Sequence, residues 1–301
     1  MKIERIPHRY FLYWSGDAFQ YVNYLCVLSL VRTNAVEGVT VYYENIPRHR
    51  RYWDLLSLLS QVELILLDWN HLAQSCGVDE RAIQRLLSVS AVNHRSDMFR
   101  YFVIYSQGGV YLDFDCLVVK DLSPLLRAGF FLGLQPEGEP INGAVLGGSR
   151  EGRILGVLIE NLFRAVAGKE QLHWTAFGPT LLTHVVAGES LLFKGFLKLI
   201  QRDEPNLRSR GRRLLARLLH RLQDSRLKIY PPEYFYPFSF EEWKRIFECS
   251  ALARNCYVIH LWGRMSNQYT RSIDADYVRT QNSLYANEAR RITDSEGMFP
   301  L

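Results

Sequence analysis

Three short polar clusters stand out against the apolar runs around them. Asp113 and Asp115 flank a single residue at the end of Val110-Tyr111-Leu112. Residues two apart in an extended chain share a face, so both carboxylates can turn to one side and offer hard oxygen ligands to a divalent cation. Such a cation would hold a diphosphate, although an Asp-x-Asp alone is also a common solvated strand end. Upstream, Asp97 and Arg100 lie on one helix face, where they can pair with each other or with a ligand's hydroxyls. Downstream, Asn142-Gly143 interrupts an apolar stretch. It reads as a turn or as an amide that bonds both ways, which is useful beside a polyhydroxylated ligand. His260 sits in Tyr257-Val258-Ile259-His260-Leu261-Trp262, where a lone histidine is either a satisfied core residue or a metal ligand.

These residues need elements to hold them. The run from Ser96 to Gln107 reads as a helix: Phe99, Phe102, Val103 and Ile104 form an apolar stripe, and Ser96 is a fair N-cap. Gly108-Gly109 stops it, since glycine best adopts the left-handed conformation past a helix end. Arg9 to Trp14 reads as a first strand, with Tyr13 and Trp14 at its end, followed by a helix from about Ala18 to Thr33. Gly38 to Tyr43 reads as a second strand, Pro47 as the opening of another helix, and Val62 to Leu67 as an aliphatic strand. Beyond Asp115, strands are predicted over Leu117 to Val119, Phe130 to Leu134 and Ile141 to Leu146. Gly147-Gly148 then punctuates the chain before a helix from Ile154 to Val166. Alternating strand and helix predict an α/β fold, a mostly parallel sheet with helices on both faces and a ligand crevice at the strands' carboxyl ends. Pro231 to Phe238 is an aromatic loop that either covers a crevice or packs on the core.

The 301 residues suffice for one large α/β domain, and 48% hydrophobic content is ordinary for a globular protein. No apolar run approaches the ~20 residues needed to cross a bilayer. Met1 to Arg9 lack the apolar core of a secretory signal, so a cytoplasmic location is expected. Cys26, Cys76, Cys116, Cys249 and Cys256 are odd in number and scattered, which favours free thiols in a reducing compartment. A net charge of +5 does not by itself call for nucleic acid. One segment is strongly basic: residues 206–228 carry Arg208, Arg210, Arg212, Arg213, Arg217, Arg221, Arg226 and Lys228 with leucines at helical spacing. It reads as a helical insertion in a single domain over 1–301, either solvated or docked on an anionic membrane at its inner face.

Taken in order, the motifs are familiar. Ser96-Asp97-x-x-Arg100-Tyr101 followed by Tyr105-x-x-Gly108-Gly109-x-Tyr111-x-Asp113-x-Asp115 resembles the glycosyltransferases with an Asp-x-Asp sugar-binding region, glycosyltransferase family 32. Ile141-Asn142-Gly143-Ala144, Phe177-Gly178-Pro179-Thr180, Pro231-Pro232-Glu233-Tyr234 and Tyr257 to Trp262 are similar to its α1,4-glycosyltransferase branch, which includes globotriaosylceramide synthase. The resemblance runs from about Ile6 to Trp262 and implies a GT-A-like nucleotide-sugar fold. It also implies transfer of a hexose, galactose or an N-acetylhexosamine favoured, from a UDP-sugar to a glycan or lipid-linked glycan acceptor in surface glycan synthesis. Anomeric configuration would be retained, giving an α and specifically α1,4 linkage.

By the same resemblance the metal is manganese (or magnesium), with Asp115 as direct ligand and Asp113 contacting it or the ribose. His260 would return from the carboxy-terminal region to the metal or a phosphate, although other transition metals suit imidazole better. Asp97, Arg100 and Asn142 match positions that hold the donor sugar, with Ser96 and Tyr111 beside them. Tyr13 and Trp14, at the end of the first strand, could stack on uracil or pack in the core, and the Trp262 indole could donate to a phosphate or glycosidic oxygen. Leu261 stands where the family has a serine. A toxin-like transferase acting on protein, or a catalytically silent sugar- or membrane-binding protein, are the alternatives.

Overall fold

The structure, a computed structural model, describes residues 5–34, 36–136, 141–167, 172–202, 216–217, 219–221, 223, 226–249 and 251–294. A seven-stranded sheet runs in the order β3-β2-β1-β4-β7-β6-β8. Its strands are β1 (Arg9–Trp14), β2 (Gly38–Tyr43), β3 (Val62–Leu66), β4 (Gly109–Leu112), β6 (Phe130–Leu134), β7 (Ile141–Gly148) and β8 (Leu227–Tyr230). Neighbours pair in parallel except at β7, which is antiparallel to both β4 and β6. A second, two-stranded ribbon pairs β5 (Cys116–Val118) antiparallel with β9 (Val258–His260). The expected mixed, mostly parallel sheet is therefore the one observed.

The central strands are apolar throughout because both faces are covered. Tyr10, Leu12, Val110 and Leu112 point into one core, which contains α1 (Tyr21–Thr33). Phe11, Tyr13 and Tyr111 point into the other, with residues of α5 (Val92–Gln107), α6 (Arg153–Val166) and α7 (Pro179–Glu189). This two-residue alternation aims Tyr111, and Asp113 after it, at α5. The segment 114–115 is a turn, so the alternation ends there and Asp115 takes a different direction.

Several predicted boundaries moved. No helix opens at Pro47; a short helix begins at Arg51 instead (Arg51–Asp54). The helix expected from Ser96 starts at Val92, because His94 Nδ1 accepts the Ala91 N–H at 3.3 Å and closes that end. Ser96 is therefore inside the helix and is not a cap. Gly147 and Gly148 end β7 and do not separate elements. The aromatic loop packs on the core, with Phe235 and Tyr236 fully buried. All five cysteines are free, and among the described residues no helix is long and apolar enough to cross a membrane.

Much of the basic segment, including Arg208, Arg210, Arg212 and Arg213, lies outside the described residues. Of the part that is described, Ala216 and Leu219 are buried and Arg217 pairs with Glu233.

As expected, α5 ends on glycine, Gly108 having φ +66°. Gly109 follows at φ +134°, where a Cβ would lie 2.6 Å from the Arg9 carbonyl oxygen and 2.8 Å from the Phe11 ring. Gly109→Ala should therefore destabilise the protein by about 1–3 kcal/mol, the scale of local backbone strain and overpacking. The urea midpoint is the check, and an unchanged midpoint would show that β1 and β4 can separate without cost.

Candidate active site

Arg100 is the hub of the site. It projects from α5, is 5% exposed, and lies 3.2 Å from Asp97 and 3.1 Å from Asp113. Its guanidinium sits over the Tyr111 ring at 4.7 Å and donates to Ser96 Oγ at 3.0 Å. The Tyr111 hydroxyl donates to Asp113 at 2.6 Å, so the 2.8 Å contact between Ser96 and Tyr111 runs with Ser96 donating. One cation thus serves two carboxylates in a buried place. Burial pushes the Asp97 carboxyl up to about 7; Arg100 opposes that and Asp113 adds to it.

Asp115 belongs to a second cluster. His260 stands opposite Cys116 in the β5–β9 ribbon, which brings its Nε2 to 3.3 Å from Asp115 Oδ1. The other carboxylate oxygen accepts the Gly263 N–H at 2.6 Å, across 148 positions of chain. Burial opposes charge on both members, yet the mutual attraction and hydrogen bonds hold Asp115 below the usual carboxylate range and His260 above its usual value.

Asp115 and His260 fit a divalent cation. Two ligand atoms at right angles in a small octahedral site lie about 3 Å apart, close to the spacing seen. The buried His260 Nδ1 has no hydrogen-bond partner among the described residues. Cys116 is the third possible ligand within reach, but burial raises its thiol well above the usual range and makes it a poor partner for a hard cation. Asp113 is not in this group. The turn at 114–115 divides the two aspartates, and Asp113 Oδ1 is engaged by Tyr111 and Arg100, so Asp113 stands apart from the Asp115–His260 pair while lining the same cleft.

Three glycines make room for these charges. A Cβ on Gly178 would lie 2.8 Å from both Asp97 carboxylate oxygens, and one on Gly263 would lie 2.9 Å from Asp115 Oδ2. A Cβ on Gly143 would collide with the Arg100 guanidinium. Gly143 follows Asn142 on β7, so Asn142 is a strand residue and not a turn. Its amide does bond both ways, donating to Gln135 at 2.9 Å and accepting the Ala144 N–H at 2.8 Å.

Asp97, Arg100, Asp113, Asp115, Ser96, Asn142, His260 and Trp262 line one cleft of about 630 Å³. Tyr111 lies beneath it. Tyr13 and Trp14 are not among the lining residues. The buried Tyr13 stacks on Phe99 at 5.4 Å, while the half-buried Trp14 packs edge-on against Phe19 and Phe114. The Trp262 indole N–H donates to the Phe238 carbonyl at 3.0 Å. The sequence reading missed Asn93, Gln135, Trp174, Thr175, Phe240, Gly263, Arg264 and Met265. Thr175, Gly263 and Arg264 each lie within two residues of a quoted family motif, which was the available signal.

Residues 29–131 match the glycosyltransferase sugar-binding region containing a DXD motif, and residues 211–292 match the α1,4-glycosyltransferase conserved region. The lactosylceramide 4-alpha-galactosyltransferase of Rattus norvegicus is 27% identical over 267 residues, 81% of this chain and 63% of that protein. Its Mus musculus counterpart is 30% identical over 177 residues, 57% of this chain and 41% of that protein. The alignments thus span less than two thirds of these relatives. The solved PaToxG glycosyltransferase superposes with a TM-score of 0.50 at 17% identity, covering 72% of this chain and 85% of its own, so the two share a GT-A-like fold.

The Asp97 proton has a consequence for stability. The folded chain holds it up to about pH 7, whereas the unfolded chain releases it from about pH 4. This group's contribution to stability therefore falls as pH rises through that window and is level above it. Asp97→Asn removes the effect, so its stability relative to the parent should climb between pH ~4 and ~7. Urea unfolding across that range reads it, and a constant difference would mean that Asp97 ionises normally.

Proposed function

Because one part of the chain matches a DXD-containing glycosyltransferase sugar-binding region and another an α1,4-glycosyltransferase conserved region, we propose that it is a metal-dependent, retaining hexosyltransferase of that family. In this reading it moves a hexose, galactose or an N-acetylhexosamine favoured, from a UDP-sugar to a glycan or glycolipid acceptor in α1,4 linkage. The observation that carries the reading is the meeting in one cleft of a buried Asp97–Arg100–Asp113 triad with the Asp115–His260 pair.

The triad is suited to the donor sugar. Arg100 stays charged and is held rigid by Ser96, Asp113 and the Tyr111 ring, so it can meet hydroxyls without reorganising. Asp97 can accept from a hydroxyl when ionised or donate to one when protonated. Asn142 presents its amide from β7 on the same wall. Asp115 and His260 would hold manganese or magnesium, which supplies Lewis-acid stabilisation of the departing diphosphate.

Among the described residues, each carboxylate lining the cleft is already engaged, Asp97 and Asp113 by Arg100 and Asp115 by His260 and Gly263. None is free to serve as a nucleophile, which supports departure and attack on one face. The bond from sugar C1 to the diphosphate oxygen breaks, the acceptor oxygen bonds C1 from the same side, and the acceptor's proton passes to the leaving phosphate.

We extend the proposal to an inner-membrane-face location through the basic segment. Arg217 is tied to Glu233, so the lipid-facing charge would come from its neighbours. Replacing Arg210, Arg212, Arg213 and Arg221 with glutamine should abolish co-sedimentation with anionic vesicles at low salt, where surface attraction is least screened. Equal sedimentation of parent and variant would remove the membrane role.

Metal stabilisation worth several kcal/mol corresponds to roughly 10³-fold in rate, so Asp115→Asn should lower turnover by about that factor and a chelator should do the same to the parent. The measurement is UDP release from each of a panel of UDP-sugars with manganese present. Parent-like turnover in Asp115→Asn with every active donor would refute the assignment.

A further inference from the structure

Besides its charged and polar residues the cleft is lined by an apolar group, Trp174, Pro179, Phe240 and Met265, with Arg264 beside them. Trp174 is 53% exposed, which for a lone surface tryptophan would call for no explanation. This one is held in place. Asn93 donates to the Trp174 carbonyl at 2.7 Å, and His94 Nε2 lies 3.0 Å from the carbonyl of the preceding His173. Since His94 Nδ1 accepts the Ala91 N–H, its Nε2 carries the proton and donates. On the other side Thr175 is buried and shares hydrogen bonds of 2.8 Å with His173 Nδ1 and with Thr180 Oγ1. The backbone flanking the indole is thus pinned on both sides while the ring stays open to solvent.

The Arg264 guanidinium lies over the Trp174 ring at 4.7 Å. The two residues come from segments far apart in the chain. Trp174 leads into Gly178, which abuts Asp97, and Arg264 follows Gly263, whose N–H holds Asp115. Both residues therefore share one cleft with the triad assigned to the sugar and the pair assigned to the diphosphate, the two groups beside which an acceptor hydroxyl must arrive.

Resting on the functional reading above, we infer that Trp174, backed by Arg264, is the acceptor platform, on which the apolar face of a neutral hexopyranose ending a glycan acceptor stacks. A pyranose presents C–H groups on one face and hydroxyls at its edge. A rigid indole gives the first an apolar surface at low entropic cost, and a guanidinium at the rim offers donors to the second.

The test is direct binding, which does not depend on turnover. Oligosaccharides ending in galactose, glucose or an N-acetylhexosamine are titrated by calorimetry against the full chain with UDP and manganese present. UDP is titrated separately. Trp174→Ala should weaken binding of the glycan that the parent prefers about tenfold, the upper end for an aromatic contact, with a clearly smaller change in UDP affinity. Trp174→Tyr should recover most of the loss, because it restores a ring.

Unchanged glycan affinity in Trp174→Ala would overturn the platform, as would no glycan binding by the parent at millimolar concentration, or equal losses for glycan and UDP. UDP release from each UDP-sugar with the preferred glycan as acceptor, measured on the parent, reads the transferase assignment separately. A parent that binds glycan through Trp174 but releases no UDP from any donor would refute catalysis and leave the platform standing.

Discussion

One buried guanidinium organises this site. Arg100 has to satisfy its donors away from water, and it does so with two carboxylates, a serine hydroxyl and an aromatic face drawn from α5 and from the end of β4. Leaving a buried charge without its partner costs about 3–5 kcal/mol, so each partner constrains the others. Burial, with the second acid Asp113 adding to it and Arg100 opposing it, lets Asp97 keep a proton near neutrality. A group so poised can meet a hydroxyl as donor or acceptor.

The packing around the hub follows from it. β7 must bring Gly143 against the guanidinium, and the chain entering α7 must bring Gly178 against Asp97, where any larger residue would meet charged atoms. α5 secures that second approach itself. Tyr101 donates to the Phe177 carbonyl at 2.7 Å, and His94 holds the His173 carbonyl. The wall that carries Trp174 is therefore fastened to the same helix that carries Asp97 and Arg100, so the floor and one side of the cleft form a single rigid unit.

The opposite side is assembled differently. The β5–β9 ribbon returns the carboxy-terminal region to the turn after Asp113, and Trp262, at φ +56°, redirects the chain into the helix Gly263–Thr270. A non-glycine residue in that conformation is strained, and the turn it makes sets His260 on one side of Asp115 and Gly263 on the other. Asp115 is reached by both, and the sheet contributes nothing further to it. The cleft is thus a joint between a sheet-and-α5 unit and a ribbon-and-helix unit.

The sequence alone determined the alternating α/β architecture, because buried strands and amphipathic helices leave periodic apolar patterns. It also picked out the principal polar residues of the cleft, because Asp97, Arg100, Asp113, Asp115, Asn142 and His260 sit in short motifs whose order is diagnostic. What it could not determine was how those residues are partnered. A period-two reading joined Asp113 to Asp115, and the turn at Phe114 separated them into two clusters. Tyr13 and Trp262 read as ligand contacts, but Tyr13 went to ring stacking and the Trp262 indole N–H to a backbone carbonyl. Trp174 had no local signature, since its role depends on Asn93, His94 and Arg264, which are remote in the chain. Partnering is set by long-range packing and by the need to satisfy buried polar groups, and only the tertiary structure decides it.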